Sequence, residues 1–402
     1  MSLISDRISK NIKPSPTLMA QSKANELKAK GFPILSLASG EPDFDTPLHI
    51  RKAAEQAMNS GYTRYTPSGG LKETKEAIIR KFSRENKLEY TLNEVCLNSG
   101  AKQTVYNAMM ATLNPDEEVI IISPFWVSYP EIVKLAGGKP VIVNMNPDKG
   151  FHLDENIIER AITDKTKWII INSPNNPSGL IYSYEELKAL ASMLLKYPHV
   201  NIISDDIYEH LVYDNAEFHT IAAVEPKIKS RVLTINGLSK AYAMTGWRIG
   251  YCGGSAELIK AMSVIQSQST SCPNSISQMA AIEALDGPQN HIKESNKEFA
   301  KRRNLTSQLI NQIPGLKCNI PKGAFYLFVD CRDLFGKKTP NGKVLNSSVD
   351  IAEYFLEQVY VVVIAGSPFG AEGFIRVSYT TSEEQLTKSC AKIKEACELL
   401  FK

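Results

Sequence analysis

The chain lacks any apolar run long enough to cross a bilayer. Its longest, near Val119–Ile122 and Val359–Ala365, fall far short of the roughly 20 residues a spanning helix needs. The first residues, MSLISDRISKNIK, carry charge but no apolar stretch, so they do not read as a secretory signal. Seven cysteines occur without a CxxC pair, and an odd, dispersed set points to reduced thiols in the cytoplasm rather than a disulfide framework. Six histidines are equally scattered. His210 in Tyr208-Glu209-His210 has no partner at zinc-ligand spacing, so no metal site is expected. An excess of one charge is also missing. The net +3 over 402 residues, with no dense Lys/Arg stripe, argues against a nucleic-acid partner. There is no internal repeat, low-complexity tract or extended linker. What remains is ordinary for a globular protein, 43% hydrophobic and 22% charged, in a chain long enough for two domains.

The order of elements is that of an α/β protein. Ser15-Pro16-Thr17 precedes a helical pattern from Leu18 to Lys30 that closes on Gly31. Pro33–Leu37 reads as a short strand running into the turn-rich Ala38–Phe44, where Gly40 either lets backbone approach a ligand or serves a connecting loop. The polar loop Tyr62–Gly70 carries Tyr65 ahead of a helix from about Leu71 to Asn86. A strand near Val95–Leu97 leads through Asn98-Ser99-Gly100-Ala101-Lys102 into a helix ending near Leu113. Small residues at that start expose unpaired N–H groups to an anion, and Lys102 stands against the helix dipole. Strands then alternate with helices at Val119–Ile122, Trp168–Ile171, Val200–Ser204 and Arg231–Ile235, as in a mostly parallel sheet. Beyond Tyr251 helices dominate, with a long charged one over Asn290–Ile313. Phe325–Val329, Val359–Ile364 and Phe374–Ser378 then alternate with helices. The expected fold is a large α/β domain over residues 48–288, with a mostly parallel central sheet flanked by helices. A smaller α+β domain over 289–402 opens on the inter-domain helix, and residues 1–47 form an N-terminal arm and part of the small domain.

Polar and aromatic groups gather just past the strand ends, where parallel sheets place their ligand sites. Ser123-Pro124-Phe125-Trp126, the segment Asn172–Gly179, Asp205-Asp206-Ile207-Tyr208 and GLSKAYAMTGWRIGY (Gly237–Tyr251) all follow strands. Lys240 in the last of these lies among small residues. A lysine in a dry pocket loses its proton easily and is a Schiff-base candidate. Each residue alone has a plainer role: Lys240 as a solvent lysine, Asp205 as a helix N-cap, Trp126 as core, Arg248 in a surface ion pair, and Arg376 on a strand face in water. Together they supply what pyridoxal phosphate requires of a protein. Lys240 offers the amine, Asp205 an anion for the ring nitrogen, and Trp126 a stacking ring. Tyr208, on the same face as Asp205 if a helix has begun, and Asn176 offer groups for the ring oxygen. Arg248 presents a planar fork that matches phosphate, and Arg376 one that matches an α-carboxylate.

GLSKAYAMTGWRIGY, NSPNNPSG, SDDIYEHL, SPFWVSYP, ASGEPDFDTP and FIRVSY together resemble the class I aminotransferases of pyridoxal phosphate. The likeness is strongest to the bacterial aspartate aminotransferase branch, some members of which also use prephenate. It runs from about Lys13 to Glu384 and implies the type I aminotransferase fold. It further implies that Lys240 is the Schiff-base lysine and shuttles a proton between substrate Cα and cofactor C4′. Asp205 would face the pyridinium, Asn176 and Tyr208 the ring oxygen, and Trp126 the ring itself. Arg248, the backbone of Gly100, Ala101 and Lys102, and Tyr65 from the neighbouring subunit would hold the phosphate. Gly40, Arg376 and Asn176 match the α-carboxylate site, with Trp126 beside it. Lys102 matches the position that meets a distal carboxylate, and Lys13 and Thr17 match positions linked with dicarboxylates and prephenate. Relatives often carry serine three residues before the lysine; here Gly237 stands there, and Ser239 is expected to supply the hydroxyl.

The resemblance implies a cytoplasmic homodimer with shared active sites. It would move an amino group from L-aspartate to 2-oxoglutarate, giving oxaloacetate and L-glutamate by a ping-pong cycle, and would also convert prephenate to arogenate. Amino acids and 2-oxo acids are then the expected partners, with no nucleic acid, membrane or metal. The same scaffold also carries carbon–sulfur lyases, cyclopropane-forming synthases and neutral or aromatic amino acid aminotransferases. A transcription regulator built on it would need a DNA-binding domain, for which no segment is left over.

Overall fold

The computed structural model describes residues 3–402. Its strands, in chain order, are β1 (Leu35–Ser36), β2 (Val95–Asn98), β3 (Glu118–Ser123), β4 (Lys139–Asn144), β5 (Thr166–Asn172) and β6 (Asn201–Asp205). They continue with β7 (Val232–Gly237), β8 (Gly250–Gly253), β9 (Tyr326–Asp330), β10 (Val361–Val362), β11 (Ile364–Ala365) and β12 (Phe374–Ser378). Seven form one sheet in the order β2-β8-β7-β6-β5-β3-β4. In it β8 runs against β2 and β7, and the other pairs are parallel. β11-β12-β9 make a separate antiparallel sheet, and β1 pairs in parallel with β10.

The large sheet is buried on both faces. Along β3, Ile120 and Ile122 pack into one apolar cluster while Val119 and Ile121 pack into the other. β5 does the same with Ile169 and Ile171 against Trp168 and Ile170. Covering both faces with helices is what turns such strands into near-continuous Val/Ile runs. Register then aligns the C-terminal ends, with Asn172 opposite Asp205 and Asp205 opposite Ile235. The mostly parallel α/β architecture expected from the pattern is what forms.

Some local expectations are corrected. β8 lies where helices were expected to dominate after Tyr251, and β4 adds a strand beyond those expected. The sequence of β8, Gly-Tyr-Cys-Gly, carries little β-branched signal because space dictates its glycines. A Cβ on Gly250 would collide with the backbone of Gly100 and Ala101, and one on Gly253 with the ring of Tyr90. The strand expected over Pro33–Leu37 shrinks to Leu35–Ser36. No helix begins at Asp205: the residue closes β6, and Ile207 to His210 form a turn.

That turn is held from below by buried charge. Lys81 is 0% exposed, donates to Asn86 Oδ1 at 2.7 Å and pairs with Glu209, while Asn86 Nδ2 donates to Glu209 Oε2 at 2.6 Å. A second anchor fixes the Gly40 segment. Arg302, on the helix Asn290–Ile310, grips Asp43 with Nη1 at 2.8 and 2.9 Å. Stripping one partner from a buried pair leaves an uncompensated charge, at a cost of about 3–5 kcal/mol. Lys81→Met should therefore lower the unfolding free energy in urea by about 3 kcal/mol. Pairing it with Glu209→Gln should recover most of that loss, and a double variant as weak as the single one would contradict the buried pair.

Candidate active site

The C-terminal strand ends of the large sheet, the helix Pro16–Ala29 and residues of β9 and β12 enclose a cavity of about 660 Å³. This is the size of a site for a small ligand or cofactor. Its walls carry Lys102, Lys240, Arg248 and Arg376 against only Glu41 and Asp205. The cavity is built to receive an anion.

Lys240 follows β7 by three residues, and its Nζ donates to the carbonyl of Gly40 at 2.6 Å. The amine faces the rings of Tyr208 and Phe325, 5.6 and 5.9 Å from their centroids. Burial, reinforced by the nearby Arg376 cation, pushes its pKa down to about 8. Asp205 is 4% exposed at the end of β6. Burial raises its carboxyl to about 6, and the Tyr129 hydroxyl, donating to Oδ2 at 2.6 Å, works in the opposite direction. Tyr129 reaches it from the first turn of the helix Ser128–Leu135, just past β3. Asn172, closing β5, donates from Nδ2 to the Asp205 carbonyl at 2.7 Å and accepts the Asn176 N–H at 2.9 Å.

Arg376 does not face water: it is 2% exposed on β12 and pairs with no carboxylate among the described residues. Its Nη1 donates to Asn176 Oδ1 at 3.0 Å, its Nη2 to the Ala38 carbonyl at 2.8 Å, and its buried Nε has no acceptor. A guanidinium desolvated to this extent with an orphaned donor suits a carboxylate ligand. Arg248 has a left-handed backbone (φ 56°) and spends its fork on the carbonyls of Thr245 (2.9 Å) and Ser99 (3.2 Å). Among the described residues it makes no ion pair. Its guanidinium lies so close to Gly100 that a Cβ there would strike it. Gly100, at φ 88°, caps the helix Ala101–Thr112, whose first N–H groups have no intrahelical acceptor. Lys102 Nζ sits 4.8 Å from the centroid of Trp126, which meets Tyr129 edge-on at 5.3 Å.

The residues singled out in the sequence sort cleanly. Thr17, Gly40, Ala101, Lys102, Trp126, Asn176, Asp205, Tyr208, Ser239, Lys240, Arg248 and Arg376 line the cavity. Gly100 lies just behind Arg248. Tyr65 is 91% exposed and Lys13 is exposed, with its backbone N–H on Glu131 Oε2 at 2.9 Å; neither reaches the wall in one chain. Gly237 has its own reason. A Cβ there would press within 3.0 Å of Ile207 Cδ1 and the Ile249 carbonyl, so the position packs against the turn before Tyr208. Tyr129, Tyr326 and Glu41 line the cavity but were passed over. Tyr129 and Glu41 lie inside quoted motifs, SPFWVSYP and ASGEPDFDTP, whereas Tyr326 is hidden in an apolar strand.

The donor set suits an anionic aldehyde: an amine of lowered pKa to condense with it, an acid opposite, and a helix start with an arginine for its anion. The neutral amine is the nucleophile, and a depressed pKa places that form above about pH 8. Borohydride trapping of a small aldehyde at Lys240 of the purified protein should therefore speed up with pH and level off above about 8. A rate still climbing towards pH 10, as for a free lysine, would contradict the desolvated amine.

Comparison with known proteins agrees with this geometry. Residues 33–393 match the family model described as aminotransferase class I and II. A probable aspartate/prephenate aminotransferase of Rickettsia felis is 52% identical over 397 residues, covering 99% of this chain and 97% of that protein. The crystal structure of the aspartate aminotransferase of Rhizobium meliloti superposes with a TM-score of 0.96 at 48% identity, covering both chains completely. That of Thermus thermophilus, solved with maleate, gives 0.92 at 41% identity, covering 98% of this chain and all of that one.

Proposed function

The chain belongs to the class I and II aminotransferases, and from that premise we propose that it is a pyridoxal-phosphate-dependent aspartate aminotransferase that also accepts prephenate. It moves the amino group of L-aspartate to 2-oxoglutarate, giving oxaloacetate and L-glutamate in a ping-pong cycle, and converts prephenate to arogenate. One observation carries this reading: Arg376 and Lys102, cations without carboxylate partners among the described residues, line the same cavity as the Lys240 amine. A dicarboxylic amino acid needs two anion sites around one reacting carbon, and this cavity offers them. Relatives in Rickettsia named for both substrates, and the Thermus enzyme solved with the dicarboxylate maleate, support the same choice.

When bound, pyridoxal phosphate supplies an electron sink that lets the Cα–H bond of an amino acid break. The side chains divide the other tasks. Lys240 Nζ, neutral at the upper end of physiological pH, takes the proton from Cα and delivers it again. Asp205, held by Tyr129, would keep negative charge beside the ring nitrogen, and Tyr208 and Asn176 would serve the ring oxygen. Trp126, on the cavity wall, would stack on the ring. Arg248, Ser239, Tyr65 of a second copy and the start of the helix Ala101–Thr112 would hold the phosphate. Arg376 and Gly40 bind the α-carboxylate and Lys102 the distal one. Thr17 and Lys13 tune recognition of dicarboxylates and prephenate.

A homodimer is part of the reading. The 91% exposed Tyr65, and Leu3, Leu18 and Met19 on the N-terminal segment, are side chains that a second copy would cover. The cytoplasm is its compartment. Its domains are a cofactor-binding one over residues 48–288 and a smaller one over 289–402 that opens on the inter-domain helix, with residues 1–47 as an N-terminal arm and part of the small domain.

Purified protein supplied with pyridoxal phosphate should show the absorption band of a lysine-bound cofactor, and Lys240→Ala should lack it. Absence of the band in the unaltered protein would refute the assignment. Lys102→Ala should cut kcat/KM for aspartate roughly 10–100-fold, the worth of one charge-assisted contact, with far less effect on a neutral amino acid. Equal losses for both would remove the distal-carboxylate role. Ammonia release in place of amine transfer would favour a lyase, and oxaloacetate and prephenate assayed side by side would rank the acceptors.

A further inference from the structure

We propose that Tyr326 is a positioning residue that directs the Tyr208 hydroxyl into the cavity and links it to the carboxylate-binding arginine. The inference rests on the proposed function and deepens it. Tyr326 opens β9 and is 1% exposed. Its hydroxyl lies 2.9 Å from that of Tyr208, 118 residues away in sequence, and the two rings meet at 76°. The Arg376 guanidinium carbon stands 4.4 Å above the centroid of the Tyr326 ring. On its third side the Tyr326 hydroxyl faces Gly40, where a Cβ would come to 3.6 Å. One side chain of the C-terminal sheet thus touches Tyr208 and the arginine and faces Gly40, whose carbonyl accepts from Lys240.

Each phenol has one proton, so one of the two hydroxyls donates and the other accepts. If Tyr208 gave its proton to Tyr326, it would have none left for an oxygen in the cavity. Arg376 stands closer to the Tyr326 ring, at 4.4 Å, than Lys240 does to the Tyr208 ring, at 5.6 Å, so the cation draws more electron density from the Tyr326 oxygen and makes it the better donor of the two. Tyr326 therefore donates, Tyr208 accepts, and the Tyr208 proton turns towards the site. The stacked arginine is held by the same ring, which couples the two ends of the site through a single residue.

Tyr326→Phe keeps the ring beneath Arg376 and removes only the oxygen. The readout is the pH titration of the bound cofactor's absorption band in the holoenzyme, for the unaltered protein, Tyr326→Phe, Tyr208→Phe and the double variant. An oxyanion deprived of a donated proton is more basic, so the apparent pKa should rise. The rise in Tyr326→Phe should be about half a unit to one unit, the worth of one hydrogen bond, and smaller than in Tyr208→Phe. On the Tyr208→Phe background the second substitution should add nothing. KM for the amino acid should hold in Tyr326→Phe and rise in Tyr326→Leu, which also removes the ring from under Arg376. An unmoved titration in Tyr326→Phe, or a full shift that persists without the Tyr208 hydroxyl, would overturn the proposal while leaving the proposed function standing. Absence of any band in the unaltered protein would overturn both.

Discussion

The site depends on keeping one amine dry. Among the described residues Lys240 pairs with no carboxylate; its amine donates to a carbonyl at 2.6 Å, and the cation of Arg376 adds to the desolvation that depresses its pKa. A protonated lysine in water is a poor base and a poorer nucleophile; the same group without its hydration shell becomes both. The surrounding architecture sustains that state. The sheet brings Asn172, Asp205 and Gly237 to a common edge, and the helices on both faces exclude water from behind.

Holding unpaired charges in one cavity is costly, and ion pairs outside the cavity keep its walls in place. Lys81 with Glu209 fixes the turn that presents Tyr208, and Arg302 with Asp43 fixes the segment that presents Gly40. Tyr129 holds Asp205 in place across the strand ends. None of these contacts reaches the reacting atoms, yet each sets the direction of one that does. A buried pair adds little net stability against an apolar substitute. Geometry is the better account of why such pairs line this site.

Much of this could be read from the chain itself. Alternating β-branched runs and the polar residues after them located the strand ends, and the motifs around Lys240, Asp205 and Asn176 pointed to one chemistry. What escaped were features that exist only in three dimensions. β8 is written in glycine because Gly100, Ala101 and Tyr90 crowd it, so its sequence has the look of a turn. Tyr326 sits in an ordinary apolar strand, and its partner Tyr208 is 118 residues away. The Lys81–Glu209 pair spans 128 residues and joins two residues that each pass for surface charges. Local periodicity reports which face is buried, and it carries no information on which distant residue the buried face will meet.

The central claim is that this cavity takes the amino group from aspartate and stores it until an oxo acid arrives. The most direct test mixes purified, cofactor-loaded protein with L-aspartate alone and measures oxaloacetate by rapid quench. The account requires a single burst of about one oxaloacetate per chain, a matching change in the cofactor's absorption and no free ammonia, with turnover resuming only when 2-oxoglutarate is added. Continuous product formation without an oxo acid, or ammonia in place of a stored amine, would contradict it.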